Sequence, residues 1–410
     1  MMSLAIMTPL SERTWYRVLA CTLAMVASAG LIGNVFAPLL PAMLGSHWLD
    51  GSQAAYINGI TSLGWILGSI ACAPLARRFT GGWVCRGALV FGLLSLLLAA
   101  IDFGPYWLGA CRLLAGLSAV GGSVLAPVLV IQGLPVSLHS RVLGVTFAGA
   151  GIGTILISLT LPLPVLSLTT APAIGWLYTA GLTALCVVIA WPGLRTRGIP
   201  SQIRPVKPGP TPHRKRMLIL TASYFFFGPA IAPMYIYLSA YIYLAFHKSI
   251  TFSAMIFALY GLGNMIGSPL FDGLISNWIG RYLSIIFSML VGLVGMLLIV
   301  TTTSLWLAVL SGLLVGVSNS AATSLLADRA MRIVGPALRI RWWGIMTLFT
   351  CIGEVVGSVL MGILLFVGWG YSSVFWVGAI SFVFAILFAS CTKVPKSSDS
   401  MATSPTPAGN

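Results

Sequence analysis

Seven basic residues, five prolines and no acid crowd into the stretch from Arg195 to Arg216. On both sides of it run long apolar segments with almost no charge, and the two sides resemble each other. Leu63-Gly64-x-x-x-Gly68-Ser69 precedes a loop with Arg77 and Arg78, and Leu262-Gly263-x-x-x-Gly267-Ser268 precedes a loop with Gly280 and Arg281, at an offset of 199. At the same offset Gly81 falls on Gly280 and Trp107-Leu108 on Trp306-Leu307; Arg141, Gly144 and Gly153 fall on Arg341, Gly344 and Gly353 at an offset of 200. A period near half the chain, in the same order, indicates two homologous halves joined by the basic loop. In a membrane protein that is the mark of a transporter whose site lies between its repeats.

The apolar segments fix the setting. Hydrophobic residues make up 58% of the chain and charged residues 7%, where a soluble protein carries roughly 25% charge. A spanning helix needs about 20 apolar residues, so twelve use about 240, which fits a chain of 410. Spans are predicted near 15–44, 52–76, 84–101, 106–131, 142–163, 173–193, 217–246, 251–275, 283–303, 305–327, 342–367 and 371–391. The fold class expected is therefore all-α and integral to the membrane. Its units are an N-terminal six-helix bundle over 1–193, a cytoplasmic linker over 194–216, a C-terminal bundle over 217–391 and a disordered tail over 392–410. The segment 328–341, basic and followed by two tryptophans, suits a short helix lying on the membrane surface.

The net charge of +15 does not point to nucleic acid, because of where the charge sits. Apart from Lys248 and Arg112, every Lys and Arg falls in the linker, the termini or the loops on one side of the predicted spans. That is the positive-inside pattern, and it puts both termini in the cytoplasm. The first span is expected to act as an uncleaved signal, since no cleavage site precedes it. The seven cysteines lie in or beside apolar segments and suit packing better than a disulfide or a metal site. There is no phosphate-binding loop, no paired carboxylates and no metal cluster, so neither an enzyme nor a cofactor is expected. Uphill transport without a nucleotide site must draw on an ion gradient.

Few residues can carry chemistry. Arg112 interrupts the fourth span, and a charge at bilayer depth costs about 2.5–3.5 kcal/mol on insertion scales. It reads as a fixed positive charge that binds an anionic group or tunes a nearby acid; snorkelling to the outer interface is the alternative. Glu354, between Gly353 and Gly357, is the carboxylate placed deep in a span. Protonated in one conformation and ionised in another, it would couple proton movement to transport; a permanently protonated acid bonded to a carbonyl is the alternative. Asp272 and Asp328 lie near the cytoplasmic ends of spans 8 and 10, close to Arg281 and Arg329, as an inner-gate ion pair or as solvated helix-end charges. Asn34, Asn264, Asn319, Tyr235 and Tyr241 are cavity candidates. Pro38 and Pro41 in span 1, and Pro229 and Pro233 in span 7, are expected to break their helices in matching places, which points to a binding site there.

Leu108-x-x-x-Arg112-x-x-x-Gly116 resembles the fourth-helix motif of the major facilitator superfamily, in which the Arg is tied to proton coupling or substrate binding. The loops after spans 2 and 8 resemble that family's gating signature in eroded form: Gly273, Gly280 and Arg281 match in the second, Gly81 survives in the first, and Arg78 takes the place of the signature Asp. Gly149-Ala150-x-x-Gly153 resembles the antiporter motif with its proline replaced. Phe36-Ala-Pro-Leu-Leu-Pro-Ala-Met43 and Arg141 to Gly153 are similar to YbfB/YjiJ-type bacterial transporters. The resemblance implies a monomer in the bacterial inner membrane, with two pseudo-symmetric bundles around a central cavity. The function expected is proton-coupled movement of a small organic solute, an anion by the reading of Arg112. Efflux of apolar or cationic compounds, and a non-transporting sensor or assembly partner, are the other readings.

Overall fold

A computed structural model describes residues 12–131, 134, 136–162, 172–194, 213–334 and 338–392. The linker and tail expected at 194–216 and 392–410 lie almost wholly outside them. Twelve helices are long and apolar enough to cross a membrane. They are α1 (Thr14–Gly45), α2 (Gly51–Ala76), α3 (Gly81–Ala99), α4 (Pro105–Val130), α5 (Val142–Thr160), α6 (Pro172–Ala190), α7 (Arg214–Ala245), α8 (Ile250–Ile279), α9 (Arg281–Thr301), α10 (Leu305–Val334), α11 (Trp342–Phe366) and α12 (Ser372–Ser390). No strand occurs among the described residues. In lipid this is what backbone polarity demands, because a helix satisfies its own N–H and C=O groups.

Glycine packing makes the repeat visible. A side chain at Gly64 would meet the backbone of Leu113 and Gly116, and one at Gly263 would meet that of Leu313 and Gly316. Each pair lets two helices of one half approach closely, as small residues do where lipid offers no hydrophobic drive. The correspondence is 199 between α2 and α8 but 200 between α4 and α10. The extra residue is absorbed where α8 turns π-helical, at Phe271–Ile275; a π turn accommodates one residue more than an α turn. This corrects the pairing of Gly81 with Gly280. The residues that match in structure are Thr80 (φ 66) and Gly280 (φ 81), each the cap before the next helix. Likewise the register of α4 and α10 sets Trp306 against Tyr106, not Trp107.

The prolines act unequally. In α1, Val26–Gly33 is π-helical and the chain turns at Val35 before α-helix resumes at Phe36. Pro38 has no N–H to give the carbonyl of Asn34, so the break falls one turn ahead of it. The break expected in α7 does not occur: Arg214–Ala245 is continuous, with Pro229 and Pro233 inside. Their rings lie against Gly353, Gly357 and Gly378, so α7 runs unbroken through them where α11 and α12 pack closely. Residues 328–334 are the last part of α10 rather than a separate surface helix.

Described arginines mark one end of the bundle, here the basic end. Arg86 donates to the Trp191 carbonyl (Nε 3.0 Å) between the rings of Trp83 and Trp191. Arg329 donates to the Thr392 carbonyl at 2.6 Å. Each half thus sets a cation on the C-terminus of its last helix, where the helix dipole is negative.

The halves meet along two main seams, α2 with α11 and α5 with α8, and α1 also packs on α7 and α8. The contacts cluster toward the far end. The Tyr237 hydroxyl donates to the Gly51 carbonyl at 2.6 Å. Tyr371 packs on Gly51, Tyr56 on Gly362 and Ser358 on Gly59; on the other seam Gly261 lies on Thr154. Burial and the nearby Asp50 carboxylate push the Tyr371 phenol above its usual range, so it stays a hydrogen-bond donor. Toward the basic end Ser69 on α2 and Gly344 on α11 are exposed, and nothing lies within 4 Å of a side chain at Gly344. The contacts that hold the two halves together thus gather at the far end.

Candidate functional site

A carboxylate bridges the α2–α11 seam. Gly353 and Gly357 press α11 against Phe225 and Pro229 of α7, and this fixes the rotation of α11 so that Glu354 turns toward α2. The Ser62 hydroxyl of the first half donates to Glu354 Oε2 of the second at 2.9 Å, and the Tyr235 hydroxyl of α7 lies near the carboxylate. One turn toward the far end, Asn58 Nδ2 donates to Ser358 Oγ at 3.1 Å and to the Tyr235 oxygen at 3.5 Å. Glu354 is half-buried, deep in a spanning helix, and its neighbours are hydroxyls. Among the described residues the ion pairs are those of Asp328, with Arg281 at 2.9 Å and Arg332 at 2.8 Å, and Glu354 has none.

A second polar group faces it within the second half. Asn319 Nδ2 donates to Asn264 Oδ1 at 2.8 Å and to the Tyr260 hydroxyl at 3.2 Å. In the first half, Asn34 at the break in α1 donates to Thr154 Oγ1 at 2.7 Å. Asn34, Asn264, Asn319 and Tyr235 are all half-buried. Amides and hydroxyls of this kind, set among apolar walls, orient a small ligand by hydrogen bonds.

Residues 24–390 match the family profile of the uncharacterised MFS-type transporter YbfB. The chain belongs to this family of MFS-type transporters. Among solved structures it resembles the nucleoside transporter NupG at 14% identity and a TM-score of 0.73, over 94% of this chain and 100% of that one. A point mutant of NupG gives the same identity and score, over 92% and 98%. At that identity the likeness establishes the fold alone. A search of the curated proteins finds no match.

In this MFS-type transporter Arg112 does not meet Glu354. It is 3% exposed, and its fork donates to the carbonyls of Ile32 (2.8 Å) and Gly33 (3.0 Å) at the end of the π segment of α1. The Phe36 ring lies beneath it at 5.6 Å, and its Nε has no partner among the described residues. The cation thus sits on the C-terminal end of a helical segment, whose exposed carbonyls and dipole attract it. Tyr241 stands apart from the site, its ring against Phe246 and Phe375 near the far end.

At the basic end, the expected ion pair with Arg281 is made by Asp328 rather than by Asp272. Asp272 instead accepts from Ser268 (2.9 Å) and Ser324 (2.5 Å). Gly81 is buried, Gly280 caps α9, and Arg78 stacks on Phe79 at 5.4 Å. Among the described residues no three His, Cys, Asp or Glu converge to hold a metal. Asn58, Ser62, Ser358 and Tyr260 were not singled out from the sequence. Their signal is spacing: Asn58/Ser62 and Glu354/Ser358 are polar pairs four residues apart, on one helical face each, inside apolar spans.

Proposed function

We propose that this YbfB-type transporter moves a small polar organic solute by alternating access, coupled to protons through Glu354. The observation that carries the reading is the Ser62–Glu354 hydrogen bond across the seam between the halves. An ionised carboxylate accepts a hydroxyl proton far more strongly than a neutral acid does. With Glu354 ionised, α2 and α11 are tied at the inner limit of the closed seam and the far end stays shut. With Glu354 protonated the tie weakens and the far end is free to open. On this reading the basic end is the cytoplasmic one, by the positive-inside rule, and the membrane is a bacterial inner membrane.

The solute class follows from the lining. Asn34, Asn264, Asn319 and Tyr235 offer neutral donors and acceptors. An anion would have to draw Arg112 off two backbone carbonyls. The lining therefore suits a neutral hydrogen-bonding solute at least as well as the anion read from the sequence. Nucleosides, named for NupG, are a reasonable first set of probes of that kind. A second reading, export of organic cations, draws on one observation: a half-buried carboxylate that has no cationic partner among the described residues.

The test begins with a thermal-shift screen of nucleosides, organic anions and organic cations on purified protein. A solute that binds stabilises the folded state by mass action. Glu354→Gln in proteoliposomes is then expected to abolish proton-driven accumulation of the solute found while sparing solute exchange. Full accumulation by that variant sinks the coupling role. A hit restricted to organic cations selects the second reading.

A further inference from the structure

The two halves are not equally polar at equivalent places. By the register that glycine packing sets, Tyr260, Asn264 and Asp272 of α8 correspond to Thr61, Trp65 and Ala73 of α2. Asn319, Ser320 and Ser324 of α10 correspond to Ala119, Val120 and Val124 of α4. The same helix pair thus packs in the first half with Thr61 and Ser69 but without the two amides and the carboxylate, so the fold does not require those.

In the second half these side chains form two hydrogen-bonded clusters stacked along one seam. Asn264, Ser268 and Asp272 follow at four-residue intervals along one face of α8. Asn319 and Tyr260 close the upper end. Below them the Ser268 amide donates to Ser320 Oγ at 3.1 Å, and Ser268 and Ser324 both donate to Asp272 Oδ2. From Asn264 to Asp272 is about 12 Å at about 1.5 Å per residue. Asp272 lies in the π turn that carries the extra residue of the second half, and it is half-buried at the basic end.

Helices α9 and α10 pack against that turn. From α9 they bring Arg281 and Tyr282, and from α10 Asp328, Arg329 and Arg332. Arg281 and Arg332 are paired with Asp328, Arg329 donates to Thr392, and the Tyr282 hydroxyl donates to Ser390. Among the described residues Asp272 therefore has hydroxyl donors and no cation.

We infer that Asp272 is a proton-collecting group, which takes protons from solution at the basic end and passes them along the α8–α10 seam toward Glu354. This rests on the proton-coupled reading above. Each step is a plain proton exchange: the Asp272 carboxylate accepts a proton from hydronium, leaving water, and gives it to water in the seam, which delivers it to the Glu354 carboxylate.

Time-resolved infrared spectroscopy of the full-length protein after a pH jump tests this without knowledge of the solute. The carboxyl band lost in Glu354→Gln identifies Glu354, and its rate of appearance is the readout. In Asp272→Asn that rate is expected to fall by at least about tenfold, the scale of a lost proton-transfer group, and Asp272→Glu is expected to restore it. An unchanged rate in Asp272→Asn overturns the inference. So does an equal slowing in Asp272→Glu, which marks a structural role. Should Asp272→Asn not fold, Ser268→Ala with Ser324→Ala keeps the carboxylate and removes its donors; an unchanged Glu354 rate there overturns the inference too. A Glu354 band that fails to titrate in the unaltered protein defeats the coupling reading itself, a different result from any of these.

Discussion

Arg112 illustrates how a charge is made tolerable in lipid. Its fork caps two carbonyls at the end of a π-helical segment, so the energetic cost of the buried cation is offset by the helix end it satisfies. Arg112→Ala leaves both carbonyls buried without that donor, a loss of about 1–3 kcal/mol, to be seen as a lower melting temperature in detergent. Arg112→Lys, with a point charge in place of a planar fork, is expected to recover part of it. A variant as stable as the original that loses only solute binding would instead make Arg112 a ligand group. The sequence exposed Arg112 and Glu354 because each is a lone charge in an apolar span. It could not expose their partners. Backbone carbonyls have no sequence signature, and Ser62 or Asn58 is one of many small polar residues whose helical face is unknown until neighbouring helices are placed.

At the scale of helices, hydropathy found the twelve spans because lipid leaves the backbone few choices. Proline was less reliable. It marks a missing donor, but whether the helix yields depends on what packs there, and α7 stays unbroken against Gly353, Gly357 and Gly378. The glycines themselves divide sharply. Gly64→Leu and Gly263→Leu would drive a side chain into the backbone of α4 or α10, and overpacking of that kind costs about 1–3 kcal/mol or more. Gly144→Leu and Gly344→Leu meet nothing within 4 Å and are expected to be silent. Size-exclusion profiles of the four variants measure this. Equal behaviour of the two pairs would refute the packing.

For the whole molecule, closure at the far end depends on small residues of α2 facing α11. Gly59→Trp cannot fit where Ser358 lies 3.2 Å from the site of its side chain. It is expected to wedge the seam and open the far end. A cysteine replacing Ser358, in a background lacking the exposed Cys391, should then react with a membrane-impermeant thiol reagent from the far side and stay protected without the wedge. Protection in both would mean that the seam is not the barrier. The duplication behind this architecture was legible as an offset, and even the slip from 199 to 200 was present in the letters. What that slip meant was not, because one added residue in a helix leaves no local trace in composition. Its effect is geometric. One residue inserted into a regular helix would turn everything after it by about 100°, since about 3.6 residues make a turn. The π turn at Phe271–Ile275 takes up that residue locally, so the faces below it return to register with α2 at the offset of 200. A copy of one half therefore forecasts the other on both sides of the turn and misleads only within it. Anyone rebuilding an ancestral, perfectly symmetric version would have to choose one register, and choosing the shorter would remove the turn that carries Asp272.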